Sequence, residues 1–169
     1  MKLFLFTVFL SVYQTLPNVV SQKTGTTSLA IGGMKVAWQA EGDLFHFTAT
    51  APEDGWVALG FNTSDNIIKS NLYMINVSEN GVNAVDLYVV GIGDPKPMEE
   101  LGSKSQICNV KGTEKNGTTT VQFSIPQKAF DRYHYDLRKT QKIWLICAYS
   151  MEDDFGHHSL MRKHIEVTL

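Results

Sequence analysis

The stretch that most constrains this chain is Gly55-Trp56-Val57-Ala58-Leu59-Gly60-Phe61-Asn62. The turn Pro52-Glu53-Asp54-Gly55 opens it and Asn62-Thr63-Ser64-Asp65 closes it. So short an apolar run between two turn signals predicts a strand buried on both faces. Gly60 inside the run marks a place where another backbone or a ligand comes close, because a side chain would otherwise fill that space. The preceding segment, 43–50, alternates, with Phe45, Phe47 and Ala49 on one face. These two strands are expected to start a sandwich core as a hairpin, with later strands packing on it.

The rest of the chain repeats this grammar. Strands are expected at 31–40, with Met34, Val36 and Trp38 on one face, and at 72–77 and 82–90 around the turn Glu79-Asn80-Gly81. Asn-Gly is a strong hairpin signal. Segments 106–111 and 118–126 read as a pair around 114–117, 142–149 as a second buried strand, and 165–169 as a closing strand. Residues 22–28 form a polar lead-in, and 127–139 a polar excursion with one helical turn near Lys128-Ala129-Phe130. The glycines of Gly91-Ile92-Gly93-Asp94 make no dinucleotide fingerprint, since the third glycine and a following helical pattern are missing. Many short strands without a helical period give an all-β, immunoglobulin-like antiparallel β-sandwich. One such domain is expected over 22–169, a length that buries a real core.

The compartment follows from the first residues. Met1-Lys2 followed by an apolar 3–10 reads as a signal peptide over 1–21, with the cut after Val19-Val20-Ser21. Gln14 and Pro17 break the run too early for a bilayer span. The mature protein is therefore expected to be secreted and extracellular, with no membrane span. Asn62, Asn76 and Asn116 each open an N-x-[ST] acceptor, and Asn116, in a polar turn, is the favoured glycan site. In an oxidising compartment the two cysteines, Cys108 and Cys147, are expected to form a disulfide, two buried thiols being the alternative. A net charge of −2 with scattered charges speaks against nucleic acid and against anionic membranes as partners.

Taken in order, several pieces resemble the DOMON domain family. They are the strand ending in Trp38, Leu44-Phe45-His46-Phe47, the 55–62 run, Leu72-Tyr73-Met74, Val85-Asp86-Leu87-Tyr88, Thr119-Thr120-Val121-Gln122-Phe123, the 143–149 strand, and His158 with Arg162 four residues on. The resemblance covers nearly the whole chain after the leader. Its spacing is closest to the DOMON module of dopamine beta-hydroxylase-like monooxygenases. It implies the β-sandwich, and in haem-binding members a b-type haem held between a methionine after the Gly-Phe strand and a histidine before the last strand. The histidine position falls on His158, the methionine position on Ile67, and the family's acidic residue on Asn71. Isoleucine has no lone pair to offer iron. This leaves Lys69 or Met74 as substitutes through a shifted loop, or His158 as the one protein ligand.

Other chemistry is weaker. His157, His158 and His164 fit no helical zinc spacing. A metal on His158 would need its neutral imidazole and weaken below about pH 6. Glu152-Asp153-Asp154 matches no EF-hand loop and reads as a solvated acidic turn. There is no Gly-x-Ser-x-Gly elbow. The copper-binding motifs of the monooxygenases lie in other domains, so the resemblance does not carry their activity and the chain is read as non-enzymatic. Trp38, Trp56 and Trp144 are read as core aromatics, any of which could line a pocket. Three readings follow. The first is a ligand-binding module for a haem-like, sugar or other small molecule in a pocket of Trp56, Ile67, Lys69, Asn71, His158 and Arg162. The second is a b-type haem electron-transfer domain on His158. The third is a protein-interaction domain for an extracellular partner, its pocket filled by its own side chains.

Overall fold

The computed structural model describes residues 20–23, 25–138 and 142–169. The strands are β1 (Val20–Lys23), β2 (Thr26–Ile31), β3 (Met34–Glu41), β4 (Leu44–Ala51), β5 (Val57–Asn62), β6 (Asn71–Ser78) and β7 (Gly81–Gly91). After β8 (Asp94–Pro97) and a 3-10 turn at Met98–Leu101 come β9 (Cys108–Glu114), β10 (Thr119–Pro126), β11 (Lys142–Tyr149) and β12 (Met161–Thr168). They form two antiparallel sheets, β1-β2-β3-β4-β10-β9 and β12-β11-β5-β6-β7-β8. The all-β sandwich is therefore as the strand pattern implies. The leader expected over 1–21 lies outside the described residues, apart from Val20 and Ser21, which begin β1. Among the described residues no helix is long and apolar enough to cross a membrane.

Alternation builds the core. Met34, Val36 and Trp38 of β3 and Phe45, Phe47 and Ala49 of β4 point inward from the first sheet, and Val57, Leu59 and Phe61 of β5 meet them from the second. Phe47 stacks on Phe123 at 5.4 Å and touches Phe61 at 5.5 Å, so aromatic rings bridge the two sheets. Such pairs add about 0.5–1.5 kcal/mol each beyond the area they bury.

Several expectations need correction. β4 and β5 do not pair: β4 lies between β3 and β10, and β5 between β11 and β6. Each carries an inward apolar row, so the turn between them crosses from one sheet to the other instead of folding back. The polar lead-in contains strand β2, whose inward residues are only Leu29 and Ile31. The closing strand begins at Met161, and no helical turn forms at 128–130.

The cysteines are free. Strand β9, which carries Cys108, packs over β6 and β7, whereas Cys147 on β11 is in register with Leu59 and, through it, with Tyr73 of β6. Two strand spacings of about 4.8 Å and an intersheet gap of about 10 Å separate them, beyond the roughly 7 Å that a disulfide spans between Cα atoms. Burial pushes the Cys147 thiol up to about 12, so it is an inert core group.

Candidate functional site

The residues of β5 that do not enter the core define the other face of the second sheet. Ala58 and Gly60 point outward, beside Leu72 and Met74 of β6 and Ile146 and Ala148 of β11. A Cβ on Gly60 would lie 3.0 Å from Leu72 Cδ1 and 3.3 Å from Ile146 Cβ, so glycine lets these side chains close the floor. Gly55 is tighter, since a Cβ there would sit 2.5 Å from the Ser150 carbonyl. That contact brings the 150–152 backbone against Trp56, whose backbone N–H donates to Glu152 O at 3.1 Å. Trp56, Ala58, Met74, Leu87 and Ala148 thus form a second apolar cluster, with Phe155 against it.

Over this cluster lies a groove of about 330 Å³. Ile67, Ile92 and Phe155 supply apolar walls, and His157, His158 and Arg162 are the charged or titratable side chains lining it. No acidic side chain lines it among the described residues. Ile92 is 88% exposed at the rim, an unusual place for an isoleucine. The His158 ring makes no hydrogen bond to a described residue, its backbone carbonyl alone accepting from Ser150 Oγ at 3.3 Å. In the wall, the buried Trp56 indole N–H has no acceptor among the described residues.

Ile67 is placed by a loop that is bonded largely to itself. Asn62 Nδ2 donates to the carbonyls of Asn66 (2.6 Å) and Ile68 (2.9 Å), Ile68 N donates to Asn66 Oδ1 (2.8 Å), and Ser70 Oγ donates to Ile67 O (2.7 Å). Lys69 takes a left-handed backbone, φ 71°, and its N–H donates to Val89 O at 2.7 Å. On the far side His164 Nδ1 pairs with Asp65 at 2.8 Å, tying the loop to the edge strand.

The structure therefore brings Trp56, Ile67, His158 and Arg162 to one groove, and leaves Lys69 and Asn71 out of it. Lys69 is exposed, while Asn71 faces the sandwich interior and holds a buried polar chain. Tyr73 Oη donates to Asn71 Oδ1 (2.7 Å), and Asn71 Nδ2 donates to Asp86 Oδ1 (2.6 Å). Asp86 Oδ2 accepts from Gln106 N (2.8 Å) and meets His134 Nε2 (3.2 Å), and His134 Nδ1 meets Asp131 Oδ1 (2.8 Å). Ser103 Oγ closes the chain on Asp131. Burial pulls the His134 pKa down, but its bonds to the two carboxylates outweigh this and hold it above the usual histidine value. Burial likewise works to raise Asp131, and the bonds from Ser103, His134 and Tyr133 N overcome it, leaving Asp131 below the usual carboxylate range.

Sequence reasoning missed this network, because Asp86 lies far along the chain from Asp131 and His134, and each of the three reads as an ordinary loop or strand polar. It also missed Ile92 and Phe155 as walls, and Met74, offered there as a substitute donor, lies on the groove's floor.

Of the three glycan acceptors, Asn116 alone is exposed, in the β9–β10 turn. The amide nitrogens of Asn62 and Asn76 are committed, the latter to Asp153 O at 2.6 Å, and both residues are buried. No group of three His, Cys, Asp or Glu side chains suited to a metal occurs among the described residues. Trp38 is a core residue, whereas Trp56 belongs to the outer cluster and Trp144 lies half-buried on that same outer face.

The fold is similar to the cytochrome domain of Myriococcum thermophilum cellobiose dehydrogenase, with a TM-score of 0.58, 9% identity, and 90% of this chain matched to 88% of that one. It is similar to the cytochrome b domain of pyranose dehydrogenase from Coprinopsis cinerea at the same TM-score and identity, over 89% of this chain and 80% of that one. No curated protein matches the sequence. The model of the DOMON domain matches residues 30–150, and the chain belongs to the DOMON domain family.

Proposed function

We propose that this domain is a secreted, non-catalytic binding module whose outer-face groove takes a flat apolar ligand bearing an anionic group, haem b being the best-fitting type. The observation that carries the reading is convergence. Trp56, the Ile67 loop and the 155–162 segment, distant in sequence, meet on one apolar floor whose charged edge is entirely basic. The two similar structures described above are cytochrome domains.

The side chains present suit such a ligand in part. His158 offers an unpartnered imidazole nitrogen as the protein donor to iron, Arg162 a cation for carboxylates, and Trp56, Met74 and Ile146 an apolar bed. A bound haem would supply one-electron redox chemistry. Ile67 stands where a second donor is expected, which favours capture over electron transfer, because two fixed axial ligands keep the iron's surroundings constant between oxidation states. A sugar finds few hydrogen-bonding side chains on this floor. The pocket filled by its own side chains fits poorly too, since Ile67 is only half-buried and the groove stands open.

The test is an absorption spectrum of the purified protein as isolated and after adding haemin, with His158→Ala alongside. A sharp Soret band that the wild type shows and His158→Ala loses at least tenfold in affinity supports the reading. Spectra of free haemin in both proteins overturn it.

A further inference from the structure

We infer that His134 is a positioning residue for the groove: clamped between Asp86 and Asp131, it fixes the segment whose next residue, Tyr135, ties down the loop carrying Ile67. The inference rests on the groove being the binding site.

The geometry runs in two steps. Both ring nitrogens of His134 face carboxylate oxygens, and its side chain is 5% exposed against an Asp86 that is fully buried. A carboxylate accepts and cannot donate, so both nitrogens must carry hydrogen for both contacts to attract. Losing one proton would turn a ring lone pair toward a carboxylate while the ring is almost wholly buried. The clamped segment, 127–138, has no strand or helix to hold it. Its other anchors include Gln127 N on Asp43 O (2.8 Å), Gln127 Nε2 on the Gly42 and Leu44 carbonyls (3.0 Å each), Leu137 N on Gln127 O (2.7 Å) and the Leu137 side chain in the core. Tyr135 Oη then donates to Lys69 O at 2.7 Å and lies 3.1 Å from Asn62 Oδ1. These are the residues that shape the Ile67 loop. Lys69 and Asn71, which the sequence assigned to the pocket, thus serve it from behind.

The groups facing His134 are Asp86 from β7, Asp131 from its own segment, and Lys128, which borders the same small cavity. Tyr73 on β6 faces Asp86 through Asn71, and the Phe130 ring stands edge-on at 6.1 Å. Burial, then Asp86, hold the Tyr73 hydroxyl well above its usual value, and burial pushes Tyr135 up to about 12, so neither phenol titrates near neutrality. The titration that matters on the alkaline side is that of His134. Its folded pKa is raised, so the clamp is complete below the ordinary value of about 6.5 and is lost as pH climbs through the higher folded value. Asp131 is lowered, so its share is lost only as pH falls through a value below the ordinary one of about 3.9. Ligation by an imidazole has the opposite sign, since protons compete with iron for the same nitrogen. A loss of haemin affinity on the alkaline side that needs His134 therefore reports the clamp.

The experiment measures amide hydrogen exchange of residues 63–70, corrected for intrinsic base catalysis, and haemin affinity, at about pH 6 and about pH 9. Wild type, Tyr135→Phe and His134→Gln are compared. Loop protection and haemin affinity in wild type should each fall roughly tenfold from the lower to the higher pH, the size of one hydrogen bond. Tyr135→Phe should lower both about fivefold at pH 6, and His134→Gln should flatten the pH dependence. Wild-type loop exchange that ignores pH, or Tyr135→Phe indistinguishable from wild type, overturns the inference. Should His134→Gln fail to fold, those two results still decide it. Haemin that does not bind wild type overturns the groove reading instead, and the loop exchange remains informative about the clamp.

Discussion

The two faces of the second sheet use the same strands for opposite ends. Inward, Phe61 and Tyr73 meet Phe47 and Phe123 in a sealed aromatic layer, each 2% exposed or less. Outward, Ala58 and Gly60 alternate with the core residues of β5, and Leu72, Met74, Ile146 and Ala148 flank them to form a low floor. The difference is one of side-chain size at alternate positions. A strand that is large inward and small outward builds its own core and leaves a shelf on the other side. What covers the shelf is a set of loops rather than a third layer, and those loops are held by polar bonds.

That contrast can be broken from either side. Phe47→Ala, which empties the centre of the aromatic layer, should cost roughly 4 kcal/mol in urea unfolding and leave haemin affinity unchanged in the folded fraction. A loss well under 1 kcal/mol would mean that the layer is not close-packed. Asp86→Asn keeps the shape but removes the charge opposite His134. It should cost roughly 2 kcal/mol at pH 6 and much less at pH 9, because the clamp is already weakened there. Equal costs at both pH values would show that the pair is only a steric spacer. Ile67→Met is the gentlest change. It conserves volume on a half-buried wall, so stability should move by less than about 1 kcal/mol. The haemin spectrum should nevertheless sharpen toward that of iron with two strong donors. An unchanged spectrum would place residue 67 away from the iron.

Much of the fold was legible because its signals are local. Alternation at Phe45-Phe47-Ala49 and at Met34-Val36-Trp38, and the Asn80-Gly81 turn, predict strands and a hairpin that are present. Partner choice was not local. Nothing in 43–62 says that β4 and β5 face each other across the core rather than side by side, since both arrangements bury the same residues. The site was half legible for a related reason. His158, Arg162 and Ile67 could be placed through the family spacing, and the structure puts them on one groove with Trp56, which was read first as a core aromatic. Lys69 and Asn71 carry backbone and interior roles that one-dimensional spacing cannot separate from pocket roles. The disulfide expectation failed because an even cysteine count describes a compartment and not a distance. Asn62 and Asn76 show the same limit, for a sequon does not reveal that its amide is needed inside.

Each sheet is a four-strand N-terminal meander finished by a later hairpin: β1 to β4 receive β9 and β10, and β5 to β8 receive β11 and β12. The joining pairs, Thr119 beside Ala51 and Trp144 beside Asn62, link opposite halves of the sequence. During synthesis the first half therefore emerges with two open apolar edges, at β4 and β5, that nothing local can cap. Folding must wait for the second half, which makes it slow and leaves a period in which the nascent chain is prone to pair with its neighbours. The two hairpins act as closures, and cutting the chain between β8 and β9 should yield fragments that are soluble only together.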